Sequence, residues 1–306
     1  MARTPSAIAA VNGDFFNIRT GESENNVVIE GDIIKGVEET DSPYDSYDNL
    51  HSQFGIDWNN HPFIDRFGLD ARVRFNGQTV HLDGVNFRED SAAFVLYTKA
   101  VGDSAPVDTL GRDFISVPLR LESHRGDTLI YRVDGELQRG GWMRLSKGGA
   151  FAAGGKSRTS VERIARYRGS IRVITGLAPN RARLRTIVGG WPRLIREGKR
   201  TAEYADILEG TFPRFSSGRH PRTAIGFNRD STRLIALTVD GRRESDSGMS
   251  LVELADAMLK LGAYEAMAFD GGGSTTMVVE GKVVNRPSDE KGERPVGSAL
   301  LFVISR

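Results

Sequence analysis

Apolar residues in this chain gather in short runs separated by turn residues, not in long helical stripes. Ala7–Val11, Ala93–Thr98, Ser170–Thr175, Thr223–Phe227, Arg233–Val239, Tyr264–Phe269, Thr275–Val279 and Ala299–Ile304 each read as a strand. Asn76-Gly77 between Ala71–Phe75 and Thr79–Leu82 predicts a hairpin, and Asp134-Gly135 between Leu129–Val133 and Glu136–Gln138 predicts another. One window carries helical spacing. Ser250 and Glu253 form a capping box, Leu251, Leu254, Ala255, Met258 and Leu259 trace one face, and Gly262 stops the helix, which is expected at about 250–261. A shorter helix is expected over Ala202–Leu208, and residues 17–62, polar and turn-rich, read as a long irregular connection. The pattern predicts an α+β fold of mostly antiparallel and mixed β-sheets with few helices.

Composition narrows the chemistry. The 306 residues include no Cys, which removes disulfide scaffolds, Cys-ligated zinc, iron–sulfur clusters and cysteine nucleophiles. No stretch approaches the ~18 apolar residues of a membrane span, and 39% hydrophobic content argues against disorder. A net charge of +1 argues against a surface built for nucleic acid. The charge is unevenly spread: residues 20–60 are strongly acidic, whereas the only acids in residues 139–200 are Glu162 and Glu197, set among many Arg and Lys. That basic stretch would attract an anionic substrate if it lay near a cleft.

Asp270-Gly-Gly-Gly-Ser-Thr-Thr is the strongest local signal. Gly271, Gly272 and Gly273 bring bare backbone N–H groups close to a ligand, and Ser274 and Thr275 add hydroxyls, a composition suited to an anion. No Gly-Lys-Ser/Thr follows, so this is not a Walker A loop. If strands 233–239 and 264–269 are parallel partners joined by the helix, Asp240 and Asp270 leave them at one edge and face one cleft. Asp-Gly is also the commonest way to leave a strand, so both readings of Asp240 stand. Asn12 and Asp14, in Asn12-Gly-Asp-Phe-Phe, place polar groups beside two aromatics. His220 and Arg222 sit two apart on an extended chain and so point to one face, a proton carrier beside an oxyanion clamp.

These blocks fall in one order: Asn12-Gly-Asp-Phe-Phe, Gly189-Gly190-Trp191-Pro192, His220-Pro-Arg-Thr-Ala-Ile-Gly, Val239-Asp-Gly-Arg, Leu251-Val-Glu-Leu-Ala, Asp270-Gly-Gly-Gly-Ser-Thr-Thr, Pro287-Ser-Asp and Glu293-Arg-Pro-Val. In that order they resemble the signature blocks of the phosphodiester glycosidase family. The resemblance implies one domain over residues 1–306, with a less recognisable region at about 35–144. Two departures stand out. Family members commonly carry Gly where Asp14 stands, and they usually have a β-rich segment and a helix ahead of this block, so part of that layer is expected to be missing.

The implied reaction is hydrolysis of a glycosyl-1-phosphodiester at its C1–O bond, on envelope or extracellular glycans. Asp270 is the expected nucleophile or base, Asp240 the second choice, and His220 a proton donor or phosphate ligand. Asn12, Asp14, Gly190, Arg222, Arg242, Gly271, Gly272, Gly273, Ser274, Thr275 and Arg294 are the expected substrate and phosphate contacts. The partner is a glycan or sugar-phosphodiester, with no nucleic acid and no membrane span. No cofactor is implied, and metal dependence stays open. Such a substrate implies an extracytoplasmic or secreted protein, although the first residues are too short for a secretory signal. The competing readings are a non-catalytic carbohydrate-binding module and an ordinary polysaccharide glycosidase with no phosphate in its substrate.

Overall fold

The computed structural model describes residues 7–41, 48–49, 51–87, 93–108, 114–145, 147–179 and 184–304. The chain forms two compact units, the first from residues 1–25, 40–66 and 184–306 and the second from 26–39 and 67–183. The fold is α+β, dominated by antiparallel pairing.

In the first unit a five-stranded antiparallel sheet runs in the order Lys199–Arg200, Arg193–Arg196, Glu265–Phe269, Arg222–Phe227, Leu234–Val239. Strands 234–239 and 265–269 therefore point the same way, but they are not hydrogen-bonded partners as expected, because 222–227 lies between them. Their C-terminal ends still emerge at one edge. The Leu251–Lys260 helix makes the crossover, and both halves of the Ser250–Glu253 capping box are formed. Alternation along the strands sorts side chains by size. Ala224, Ala266 and Ala268 lie on the face covered by Leu251, Leu254, Ala255 and Met258. Ile225, Phe227, Met267 and Phe269 fill the opposite face with Val11, Phe54, Ile64, Val188 and Leu300. Small residues under the helix let it approach closely: a Cβ on Gly226 would lie 2.9 Å from the Met258 terminal methyl.

Two further layers complete this unit. Strand Ala7–Asn12 is held between Met277–Val279 and Ala299–Val303, with Lys282–Val283 at the edge. Leu184–Gly189, Ser52–Asp57 and Pro62–Arg66 form a second antiparallel group. The expected irregular connection over 17–62 thus carries strands, including Val27–Ile29 and Asp32–Val37 in the second unit. Its turns separate short strands that polar residues had disguised. The Ala202–Leu208 segment is a 3₁₀ turn running into helix Ala205–Glu209.

The second unit is a long sheet in which only Gly84–Val85 and Phe94–Thr98 pair in parallel among its described pairings. The Arg72–Phe75 and Gln78–His81 hairpin forms as expected. The Asp134-Gly135 hairpin does not. Thr128–Val133 turns back through Gly126, at φ 60°, onto Ile115–Arg125, and Gln138–Arg139 pairs further along that same long strand. Asp134 donates its N–H to the Pro118 carbonyl and continues in line. Helix Arg158–Arg166 was not expected from the sequence, since it buries only Val161 and Ile164. Among the described residues no helix is long and apolar enough to cross a membrane.

Ser250→Ala removes the hydroxyl that accepts the Glu253 N–H and should cost about 1 kcal/mol of stability, read as a lower urea midpoint at unchanged slope.

Candidate active site

Three chain exits converge around Pro221. Its carbonyl accepts the Gly272 N–H at 2.9 Å, and a Cβ on Gly241 would lie 3.0 Å from its nitrogen. His220-Pro221, Asp240-Gly241 and Asp270-Gly271 are thereby brought together, as the shared strand edge required. Asn12 anchors the arrangement from beneath. Its Oδ1 accepts from the Thr223 hydroxyl and the Thr276 N–H, and its Nδ2 donates to the Asp270 carbonyl at 2.7 Å.

Asp270 is half-buried, with its Oδ1 accepting the Gly271 N–H and its carboxylate bonded to Ser274. Burial pushes its pKa up to about 6, against the opposing pull of those hydrogen bonds and of Arg294 and Arg242. The glycines make room for these cations. A Cβ on Gly272, whose φ is 58°, would lie 2.8 Å from Arg242 Nη2, and one on Gly273 would overlap Arg294 and Asp289. Asp289 accepts from Arg294 Nε at 2.6 Å and from Nη2 at 2.8 Å, a two-pronged pair that fixes the guanidinium beside the loop. That bond holds the Asp289 carboxyl below its ordinary value and raises Arg294.

Arg242 is exposed, held at φ 62°, and acts electrostatically on Asp270, Asp289 and His220 alike. His220 is half-buried. Desolvation lowers its pKa first, the Arg222, Arg242 and Arg214 cations lower it further, and the bond of Nε2 to the Arg214 carbonyl opposes them. A carbonyl only accepts, so that bond places the proton on Nε2. Asp240 Oδ1 accepts from Asn285 Nδ2 and the Arg286 N–H, tying the 285–294 loop to the strand edge.

Several of the expected substrate contacts are buried and bonded within the protein. Asn12 is 1% exposed and its amide is consumed as described. The Asp14 carboxylate is also buried, accepting the Asn25 N–H and Nδ2, so the group added where the family commonly has Gly is engaged internally. Gly190 is packed where a Cβ would meet the Ala268 carbonyl at 2.5 Å. Arg222 is buried over the Phe215 ring and donates from Nε to the Met249 carbonyl and from Nη2 to those of Phe215 and Gly218. Burial pushes its pKa down to about 10. The Ser274 hydroxyl serves Asp270, and Thr275 is buried, its carbonyl accepting from Asn285 Nδ2 and its hydroxyl without a partner among the described residues. Period-two spacing cannot tell a guanidinium facing solvent from one capping carbonyls.

The phosphodiester glycosidase family matches residues 127–303, more than half of the chain. The chain belongs to that family. Bovine N-acetylglucosamine-1-phosphodiester alpha-N-acetylglucosaminidase is 33% identical over 172 residues, covering 50% of this chain and 32% of the bovine protein. The human protein of the same name is 39% identical over 80 residues, covering 26% of this chain and 15% of its own length. This chain thus spans about a third or less of these relatives. A solved structure from Burkholderia pseudomallei has a TM-score of 0.74 at 19% identity, covering 98% of this chain and 66% of that one, and shares the fold.

Trp191 and Asp289 stand in the signature blocks but were given no site role from the sequence, and Asn285, in the same polar loop as Asp289, had no signal beyond composition. Trp191 stacks on Phe215 at 4.8 Å and on His51 at 5.2 Å, and its Nε1 donates to the Glu209 carbonyl. Buried Glu209 in turn accepts from Ser52 N, Ser52 Oγ and Arg193 N. Among the described residues the one group with metal-ligand chemistry is Glu38, His81 and Asp83, in the second unit, with donor atoms within 4.8 Å of one another.

His51 is buried, and neither ring nitrogen has a hydrogen-bond partner among the described residues. Burial lowers its pKa to about 4. The folded state therefore resists a proton that the unfolded chain takes up near 6.5. Stability should be full above that pH, fall between about 6.5 and 4, and level off below. The loss should be on the order of 3 kcal/mol. His51→Phe should flatten this limb in denaturant titrations at stepped pH.

Proposed function

We propose that this chain hydrolyses a glycosyl-1-phosphodiester of envelope or extracellular glycans, releasing the sugar and leaving a phosphomonoester. One observation carries the reading: a half-buried carboxylate with its pKa pushed up to about 6 opens a triple-glycine turn that the Arg242 and Arg294 guanidinium groups approach closely. A carboxylate alone suits many hydrolases. The paired cations suit one whose leaving group is anionic.

Above about pH 6 Asp270 is ionised and acts at the anomeric carbon, as nucleophile or as base toward water. The C1–O bond breaks with its electron pair passing to the phosphate oxygen. Water supplies the hydroxyl that ends on C1, and its proton leaves through the carboxylate. Arg242 and Arg294 stabilise the departing charge, with Asp289 holding Arg294 in place. A phosphate monoester leaves without a strong acid, which fits a His220 whose pKa is lowered and whose Nε2 proton is engaged by a carbonyl. Asp240 holds the 285–294 loop that carries Arg294.

On a glycosyl-phosphodiester with a chromogenic leaving group, Asp270→Asn should lower kcat/KM by roughly 10²–10⁴-fold with little change in melting temperature. Wild-type kcat/KM should rise with pH through about 6 as the carboxylate ionises. Arg242→Gln removes a cation that favours the ionised form, so its acid limb should move to higher pH. The matching neutral glycoside should be turned over far more slowly. Equal rates on both substrates, or full activity in Asp270→Asn, would overturn the reading.

A further inference from the structure

The second unit contains a cavity of about 360 Å³ whose lining includes Pro118, Asp134, Gln138, Trp142, Arg144 and Lys147. That volume lies within the ~300–1,000 Å³ of small-molecule sites. Nothing in the proposed hydrolysis uses these residues. Trp142 is 64% exposed, and among the described residues no ring or cation stacks on it. Trp191, by contrast, is buried, and Trp58 lies under the Arg185 guanidinium.

The local backbone presents Trp142 deliberately. Strand Gly141–Arg144 alternates, so Met143 turns into the core with Ala105, Leu145 and Ala150 while Trp142 and Arg144 share the outer face. Gly140 and Gly141, at φ 60° and 76°, bend the chain into that strand, and the Gly140 N–H is tied to the Phe114 carbonyl. Trp142 is paired opposite Pro106 and Arg144 opposite Ser104, which fixes the register. On the other side the Asp134 N–H is bonded to the Pro118 carbonyl, so the acid is held too.

The chemistry of this lining is specific. A flat, unstacked indole offers its face to the C–H side of a pyranose, and Gln138 and Asp134 offer donors and acceptors for ring hydroxyls. Lys147 and Asp134 neutralise each other at 2.8 Å, whereas Arg144 has no ion pair among the described residues. One guanidinium is left over, and a guanidinium grips phosphate or carboxylate with two prongs. The geometry points to a second carbohydrate site in this unit, one that binds a sugar ring bearing a phosphate or carboxylate, with Trp142 as its platform and Arg144 as its anion clamp.

Calorimetric titration of the full chain with glucose 6-phosphate, glucose and inorganic phosphate tests this. Wild type should bind glucose 6-phosphate at this site at least tenfold more tightly than either component. Trp142→Ala should abolish that binding, Trp142→Phe should keep it within a few-fold, and Arg144→Gln should erase the preference over plain glucose. All three should retain the wild-type melting temperature and turnover of the chromogenic phosphodiester. A short oligomer of phosphate-linked sugars that binds more than tenfold tighter than the monomer, through Trp142, identifies a polymer as the source; equal affinity identifies a free sugar phosphate. Unchanged glucose 6-phosphate binding in both Trp142→Phe and Arg144→Gln, together with unchanged binding in Trp142→Ala or failure of that variant to fold, would overturn the site, as would inorganic phosphate binding as tightly as the sugar phosphate. Activity of Asp270→Asn bears on the hydrolytic reading alone, so the two can fail separately.

Discussion

The side chain of Asn12 is the small element on which the first unit turns. Its carboxamide satisfies the Thr223 hydroxyl, the Thr276 N–H and the Asp270 carbonyl at once, joining segments more than two hundred residues apart in sequence. Each bond contributes roughly 0.5–1.5 kcal/mol net, but an orphaned buried partner costs about 1–3 kcal/mol, so the arrangement is far more expensive to break than its gains suggest. With the Asp270 carbonyl fixed, the following turn can leave the strand only one way, toward Pro221. The approach of Arg242 and Arg294 to bare glycine backbone follows from that direction.

Burial and charge then oppose each other at Asp270. Taking the carboxylate partly out of water favours its neutral form, while two guanidinium groups, Ser274 and the Gly271 N–H favour the ionised one. Burial wins by a modest margin, leaving a group that changes state in the mildly acidic range and is not locked in either form. The neighbouring cations are themselves partly spoken for. Arg294 is held by Asp289, which keeps its planar fork oriented, while Arg242 stays exposed.

Much of this was legible in the residues, for reasons that differ by element. The Leu251–Lys260 helix could be read because cap, apolar face and stop signal agree. The Asp270 loop could be read because three glycines after a buried strand have few purposes. Asn12, Asp14, Gly190 and Arg222 were also singled out, yet burial decides whether a polar group meets a ligand or the protein's own backbone, and burial is a property of the folded pair. The strands within 17–62 escaped because their polar and turn residues mask short apolar stretches. Helix Arg158–Arg166 escaped because two buried positions leave almost no periodic trace. The Asp134-Gly135 turn was misread because a long strand, Ile115–Arg125, could accept two successive segments along one edge.

The position of strand Ala7–Asn12 has a consequence for how the chain is made. It is hydrogen-bonded on both sides by segments from 277–279 and 299–303, so during synthesis it must wait, unpaired, until strands roughly 265–290 residues further along have emerged. A ribosome adding about 5–20 residues per second leaves that strand exposed for many seconds. The second unit, drawn from the middle of the chain, can complete its sheet during that wait. Vectorial synthesis therefore joins these parts late: the turn bearing Asp270 and the Asn12 that holds it meet only after the Met277–Val279 segment has been made.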